Sequence, residues 1–323
     1  MIDIFNPIKD ELKEVEILLE EKTSATVKHI EGATKHILSA GGKRLRPTLT
    51  ILTSQLGDAY DKKRSIQVSY AVEYIHMASL IHDDIIDNAE TRRGKPSSNV
   101  VFGSHYCVLL GDYLFSKSLF DLSIYETRDV SSTILEATNK MCEGQILQVL
   151  MNRKIDITED EYFEVIRNKT AILIAGGCKA AGLISGQTDE KIKKLWDFGI
   201  NIGIAFQISD DILDVISSPE KLGKPAGSDV REGSYTLPLI HALEIAPSFD
   251  CDKIISLLKK IEIDEKDWGI IKNFIEKYKG VEYAMDKGKK HVESAKKSLE
   301  NFRDCQAKKI LEYAADYCIR RTY

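Results

Sequence analysis

Between Pro96 and Pro219 the chain contains no proline, and the other prolines, Pro7, Pro47, Pro225, Pro238 and Pro247, stand where a helical reading places breaks or first turns. A residue that locks φ and lacks an N–H is kept out of helix interiors, so this spacing leaves room for several long helices. Apolar residues recur through the interval at helical spacing, with Leu109, Tyr113 and Phe120 in one run and Leu135, Met141, Ile146 and Val149 in another. Asn6 followed by Pro7 reads as a cap and first-turn pair. Thr158 with Glu161 reads as a capping box opening a helix that runs to about Ile184. Alternating β-branched runs between turn dipeptides are nearly absent. The predicted fold class is all-α. Two short polar connectors, "ETRRGKPSS" and "LGKPAGSDVREGS", join helices of like character, so a single domain over residues 1–323 is expected.

One helix in this frame carries an unusual charge pattern. In "LIHDDIIDNAETRRG" (residues 80–94), a helix running through residue 89 puts Asp83 and Asp87 one turn apart on one face, with Asp84 beside them. Charged residues make up 29% of the chain, yet residues 65–90 contain no Lys or Arg to offer an intrahelical partner. The pattern recurs in "FQISDDILDV" (residues 206–215), where Asp210, Asp211 and Asp214 repeat the D-D-x-x-D spacing and residues 195–218 again lack Lys and Arg. A single such triplet is most simply an acidic, solvated face. Two copies inside apolar sequence, each followed by a basic loop containing glycine, point elsewhere. If the two helices face one another, six carboxylates converge and their repulsion calls for bound cations. Oxygen ligands without His or Cys suit a hard ion, Mg²⁺ rather than Zn²⁺. Such an ion keeps positions for phosphate oxygens, so a diphosphate can bind beside carboxylates that would otherwise repel it.

Other function classes are disfavoured. The net charge of -5 gives no reason to expect nucleic-acid binding. The acidic start "MIDIFNPIKDELKEVE" does not read as a signal peptide. The most apolar stretches are broken by Lys179, Asp197, Asp210, Asp211 and Asp214, which argues against an integral membrane segment. The six cysteines form no C-x-x-C pair and are expected to be buried thiols of a cytoplasmic protein, neither a zinc site nor a disulfide framework. The segment "GGKRLRP" (residues 41–47) places Lys43, Arg44 and Arg46 at the start of a helix opened by Pro47, either as an anion site or as a glycine cap followed by surface cations.

Taken in order, GGKRLRP, H-x-x-x-x-x-H-D-D-x-x-D, R-R-G, G-D-Y-L, G-Q, K-T, F-Q-x-x-D-D-x-x-D, G-K and D-x-R-E-G resemble the trans-isoprenyl diphosphate synthases, or polyprenyl synthetases, over residues 41 to about 239. The resemblance implies the isoprenoid synthase fold, a bundle of long, mostly antiparallel helices around a central active-site cavity. It also implies three Mg²⁺ ions held with the allylic diphosphate by Asp83, Asp84, Asp87, Asp210, Asp211 and Asp214. Of these, Asp83, Asp87 and Asp210 are expected to ligate directly, and the others partly through water. Contacts to the allylic diphosphate carry over to Arg92, Lys169, Thr170, Gln207 and Lys224, and those to isopentenyl diphosphate carry over to Gly42, Lys43, Arg46, His76 and Arg93. The catalytic set implied is Asp83, Asp84, Asp87, Arg92, Lys169, Asp210 and Lys224. A homodimer is implied as well, with transient membrane contact at product release.

The implied reaction is ionisation of the allylic diphosphate followed by condensation with isopentenyl diphosphate. The released diphosphate itself takes the final proton. One departure stands at Ser234, where many members of the family carry Lys. Ala78 and Ser79, about one turn before Asp83, are small where shorter-chain members carry a bulky aromatic, which implies a medium- or long-chain polyprenyl product, with geranylgeranyl the alternative. Three competing readings are weaker. Glu73 and His76 form an E-x-x-H, half of a di-iron site, but no second copy occurs. A non-catalytic subunit of a heteromeric synthase would lose the aspartate motifs, which are complete here. A terpene cyclase has no use for GGKRLRP or Arg93.

Overall fold

The computed structural model describes residues 6–23, 27–39, 41–42, 44–92, 94–217 and 226–320. A 3-10 turn at Asn6–Ile8 leads into α1 (Lys9–Glu21), followed by α2 (Lys28–Ser39), α3 (Leu45–Ser54) and α4 (Lys62–Ile86). A two-residue ladder pairs β1 (Thr91–Arg92) antiparallel with β2 (Lys95–Pro96), placing Arg92 opposite Lys95. Next come α5 (Ser98–Phe102), α6 (Ser104–Tyr125) and α7 (Arg128–Met151), then α8 (Glu159–Ile166), a π-helical turn (Arg167–Ala171), α9 (Ile172–Ile184) and α10 (Asp189–Ile216). The remaining helices are α11 (Ser228–Glu232), α12 (Leu237–Ile245), α13 (Ser248–Leu258), α14 (Glu265–Lys277), α15 (Gly280–Ser298) and α16 (Gln306–Arg320). The all-α expectation holds among the described residues, with one two-stranded hairpin as the exception.

Local chemistry sets the helix limits. The capping box at the start of α8 forms as expected, with Thr158 accepting from the Glu161 N–H and the Glu161 side chain returning the bond. Asp61 caps α4 by accepting from the Arg64 N–H at 3.1 Å. The Asn6–Pro7 pair opens a 3-10 turn, so α1 starts only at Lys9. At its other end α4 stops at Ile86 and does not continue through residue 89. Asn88 takes a left-handed φ of 49°, the Ala89 N–H reaches the Asp84 carbonyl at 2.9 Å and the Asn88 N–H that of Ile85 at 3.2 Å. These two bonds make a Schellman ending. Asp87 therefore caps the helix that carries Asp83 and Asp84.

The chain forms two compact units: Met1–Thr138 with Leu173–Gly199 and Ser298–Ala314, and Asn139–Ile172 with Ile200–Lys297 and Ala315–Tyr323. In the first, α4 packs against α1, α3, α5 and α6. It gives the core Tyr70, Tyr74, Ile75, Ala78 and Ile81, all essentially inaccessible. The Tyr70 hydroxyl donates to the buried Asp121, which also takes Lys117 at 2.7 Å and Lys22 at 3.3 Å. In the second, α12 packs on α8 and α14, and a core forms from Val215, Leu239, Leu258, Trp268, Ile271 and Phe274.

The apolar spacing that marked α6 and α7 locates their helices but not their buried faces. Leu109 and Phe120 on α6, and Leu135, Ile146 and Val149 on α7, are exposed. The cysteine expectation also needs correcting: Cys107, Cys178 and Cys318 are buried, Cys251 and Cys305 are half-buried, and Cys142 is exposed. Among the described residues no helix is long and apolar enough to cross a membrane.

Candidate functional site

The first aspartate motif closes α4, and its three carboxylates occupy different environments. Asp84 is 2% exposed and accepts from Arg92 Nε at 2.6 Å, whereas Asp83 is half-buried and Asp87 exposed. The cation missing from α4 thus arrives from the hairpin that follows it. Burial pushes the Asp84 carboxyl above its ordinary range, with the Arg92 guanidinium pulling the other way.

Glu73, three turns earlier on the same helix, is answered by the segment 41–47. Arg44 sits at the start of α3 with a left-handed φ of 47°, unusual for a non-glycine residue. Its Nη1 donates to Glu73 Oε1 at 2.9 Å, and its Nε lies 3.5 Å from Glu16. Glu73 is therefore the partner of Arg44, which disposes of the E-x-x-H reading. A cavity of about 30 Å³, room for one water, is lined by Gly41, Arg44, Glu73, His76, Asp84 and Arg92 and joins this segment to the first motif. Arg46 is half-buried in the first turn of α3, Gly42 is exposed, and His76 is half-buried on α4. Because both members of the Arg44–Glu73 pair are nearly covered, Glu73→Ala should cost about 2 kcal/mol by removing a hydrogen bond between charged groups, with Glu16 still beside Arg44. Urea unfolding measures this, and a loss under 1 kcal/mol would make the pair peripheral.

The second motif lies on α10 in the second unit. Asp211, 3% exposed, accepts from the Tyr162 hydroxyl at 2.6 Å and from Gln207 Nε2 at 2.9 Å. Gln207 Oε1 in turn accepts from the Thr170 hydroxyl at 2.8 Å. Asp214, equally buried, accepts from the Ser228 hydroxyl at 2.7 Å and the Asp229 N–H at 3.2 Å. Asp210 is half-buried. Both motifs thus have the same division. The second aspartate of each is buried and bound by protein donors, and the first is half-buried.

Lys169 and Thr170 lie in the π-helical turn, and Lys169 Nζ donates to Gln148 Oε1. Single π turns inside longer helices widen the backbone and recur at functional sites. Two helix-interior glycines make room for this one. A Cβ on Gly144 would fall 2.4 Å from the Lys169 nitrogen, and one on Gly203 would fall 2.5 Å from the Ala171 Cα. Nothing in "RNKTA" signals the π turn. The trace available in the sequence is a pair of glycines, each costing a helix about 1 kcal/mol, with no capping role to explain them. Tyr162 and Gln148 were likewise missed, as was the pairing of Arg44 with Glu73, because each acts through a partner distant in sequence.

Burial, with Asp210 and Asp214 adding to it, raises the Asp211 carboxyl to about 7, against the opposing bonds from Tyr162 and Gln207. A carboxyl raised in the folded state binds a proton that the unfolded chain has already lost, so stability falls as pH rises from about 4 to about 7. In chelator, Asp211→Asn should raise the melting temperature fully above pH 7, with the gain fading as pH approaches 4. A pH-independent difference would mean that this group does not titrate in that window.

Lys43, Arg93 and Lys224 lie outside the described residues. Among the described residues no three His, Cys, Asp or Glu side chains gather closely enough to cage a metal. The oxygen donors that Asp83, Asp87 and Asp210 present, half-buried or exposed, fit Mg²⁺, which takes one or two carboxylates and fills its shell with water and substrate phosphate oxygens.

The sequence pattern of the polyprenyl synthetases matches residues 27–275. The chain belongs to the polyprenyl synthetase family. Its members are prenyltransferases, and the all-α fold described above is the isoprenoid synthase fold that they share. The chain is 39% identical to the short chain isoprenyl diphosphate synthase of Methanothermobacter thermautotrophicus over 95% of each protein. It is similar in structure to the decaprenyl diphosphate synthase of Rhodobacter capsulatus, with a TM-score of 0.94 and 31% identity covering 99% of this chain and 98% of the other. A polyprenyl synthase from Caulobacter crescentus, solved with calcium and isoprenyl diphosphate, matches at a TM-score of 0.92 and 30% identity over 99% and 97%. These polyprenyl synthetase relatives span short to long products, so likeness alone does not fix chain length.

Proposed function

We propose that this chain is a Mg²⁺-dependent prenyltransferase that condenses isopentenyl diphosphate head-to-tail with an allylic diphosphate, giving an all-trans polyprenyl diphosphate longer than farnesyl, in the hexaprenyl to octaprenyl range. Its whole length acts as one catalytic domain, and both aspartate motifs serve the same reaction. The observation that supports this reading is the grading of burial within the motifs: Asp84 and Asp211 are buried against protein donors, while Asp83 and Asp210 are half-buried and Asp87 is exposed. Accessible carboxylates that share a helix turn with a braced neighbour are pre-positioned acceptors for cations, at little entropic cost.

Asp83, Asp87 and Asp210 would hold Mg²⁺ directly, with Asp84, Asp211 and Asp214 supporting them. When bound, Mg²⁺ supplies Lewis-acid stabilisation of the departing diphosphate. Arg92, Lys169 and Lys224 neutralise the same leaving group, and Thr170 and Gln207 orient it. Gly42, Lys43, Arg46, His76 and Arg93 hold isopentenyl diphosphate, whose double bond attacks the allylic cation. The apolar walls of the helices keep water from that cation. No side chain serves as the base; the released diphosphate accepts the proton. Ser234 leaves the allylic diphosphate one cation short of many relatives, which weakens its binding without changing the reaction.

A geranylgeranyl product is the second reading, favoured by the fully buried Tyr74, one turn below Ala78, as a floor. Incubation with Mg²⁺, an allylic diphosphate and labelled isopentenyl diphosphate, followed by chain-length analysis of the products, tests both. Failure to incorporate label would refute the activity.

A homodimer belongs to the same proposal. The exposed Leu135, Ile146 and Val149 lie on one side of α7, and Leu109 and Phe120 are exposed on α6, an uneconomical arrangement for surfaces left in water. Light scattering at micromolar concentration should give twice the chain mass, and Ile146→Arg should shift it toward the monomer. A monomeric mass for the unaltered protein would exclude the dimer.

A further inference from the structure

We infer that Tyr162, which belongs to none of the motifs, is a positioning residue that sets the second aspartate motif for its metal; this rests on the function proposed above. Tyr162 lies one turn into α8, a helix pinned at its start by the Thr158–Glu161 capping box. The ring is buried and makes an edge contact with Phe163, centroids 5.4 Å apart. Its hydroxyl donates to Asp211 Oδ2, while Gln207 takes Oδ1 and Thr170 donates to Gln207. The run Tyr162–Asp211–Gln207–Thr170 thus ties together three segments: the start of α8, the π turn and the last turns of α10.

Both oxygens of Asp211 are engaged, one from each side, so the carboxylate has little freedom to rotate. Asp210 precedes it on the same helix turn and Asp214 follows one turn later. Fixing Asp211 therefore fixes the backbone that aims both neighbours. The bond from Tyr162 is the one that comes from outside α10: Gln207 shares a helix with Asp211 and follows it in any movement, but α8 does not. Tyr162 accordingly references the motif to the segment bearing Lys169 and Thr170, the proposed contacts of the allylic diphosphate. Metal ligands and diphosphate contacts are then held in one register before either ligand arrives, which is how preorganised sites avoid reorganisation on binding.

The test removes one hydroxyl and keeps the ring. Tyr162→Phe should bind Mg²⁺ about tenfold more weakly in the presence of inorganic pyrophosphate, measured by titration calorimetry, the size expected for losing a hydrogen bond to a charged group. In an Asp211→Asn background, where the acceptor carries no charge, the same change should cost less than about twofold. Unchanged affinity in Tyr162→Phe overturns the inference and leaves the proposed function standing. Equal losses in both backgrounds overturn it too, because Tyr162 would then act through another partner. If Tyr162→Phe folds only when Asp211 is also replaced, Tyr162 is a folding residue and the positioning role falls. Absence of Mg²⁺ uptake by the unaltered protein with pyrophosphate would defeat the proposed function itself, and this inference with it.

Discussion

Replacing Asp83 or Asp210 by alanine is expected to lower turnover by about two orders of magnitude or more, the loss that follows removal of one strong electrostatic stabiliser, with the fold intact. The two halves of that expectation have separate grounds. Both side chains are half-buried at the open side of their motifs, whereas Asp84, Asp211 and Asp214 are buried and bound to protein donors. Alanine at the first pair removes the carboxylates proposed as direct cation ligands and leaves the braces on Asp84, Asp211 and Asp214 in place. Alanine at Asp84 would instead strand Arg92, and its effect on activity would be mixed with an effect on stability. Without metal, losing one of several crowded carboxylates relieves repulsion, so the melting temperature should stay level or rise. Steady-state incorporation of labelled isopentenyl diphosphate with Mg²⁺ measures the first half and a thermal melt the second. Near-normal turnover in either variant would refute the assigned role.

What could be read in advance divides along the range of the interactions. Helix starts made by neighbouring residues were legible: Thr158 with Glu161 forms its box, and the helix predicted from there ends at Ile184 as expected. Inside that helix the π turn at Arg167–Ala171 was not legible, because it depends on Gly144 and Gly203, residues of other helices, leaving space beside it. The D-D-x-x-D spacing revealed a charge deficit on α4 and pointed to the basic loop that follows for its remedy, but not to the individual pair, since Arg92 reaches Asp84 only after the chain turns back through a hairpin. Arg44 illustrates the same limit, part of an anion site or a surface cation by sequence and the partner of the buried Glu73 by structure. On α6 and α7 the period of apolar residues fixed the helical phase correctly, yet Leu109 and Ile146 are exposed. Periodicity says which residues share a face and is silent on what covers that face.

Product length supplies the other large effect, and the structure separates two substitutions that sequence alone treats as equivalent. If the growing chain runs from Asp83 toward the start of α4, it passes Ala78 and Ser79, and phenylalanine at either position should truncate the product toward farnesyl or geranylgeranyl length. Ala78 is completely inaccessible within the core that α4 shares with Tyr74 and Tyr70. Adding an aromatic ring there overpacks a full interior at about 1–3 kcal/mol, so Ala78→Phe should shorten the product and lower the melting temperature together. Ser79 is half-buried, and its hydroxyl is bonded to the His76 carbonyl of its own helix at 2.8 Å. Replacing it gives up only a local bond of a kind that adds little to helix stability. Ser79→Phe is therefore the cleaner probe, expected to shorten the product with little change in the melt. Reversed-phase separation of the dephosphorylated alcohols reads the outcome. An unchanged distribution in Ser79→Phe would mean that the chain does not pass this face of α4, and the floor would then have to be sought elsewhere.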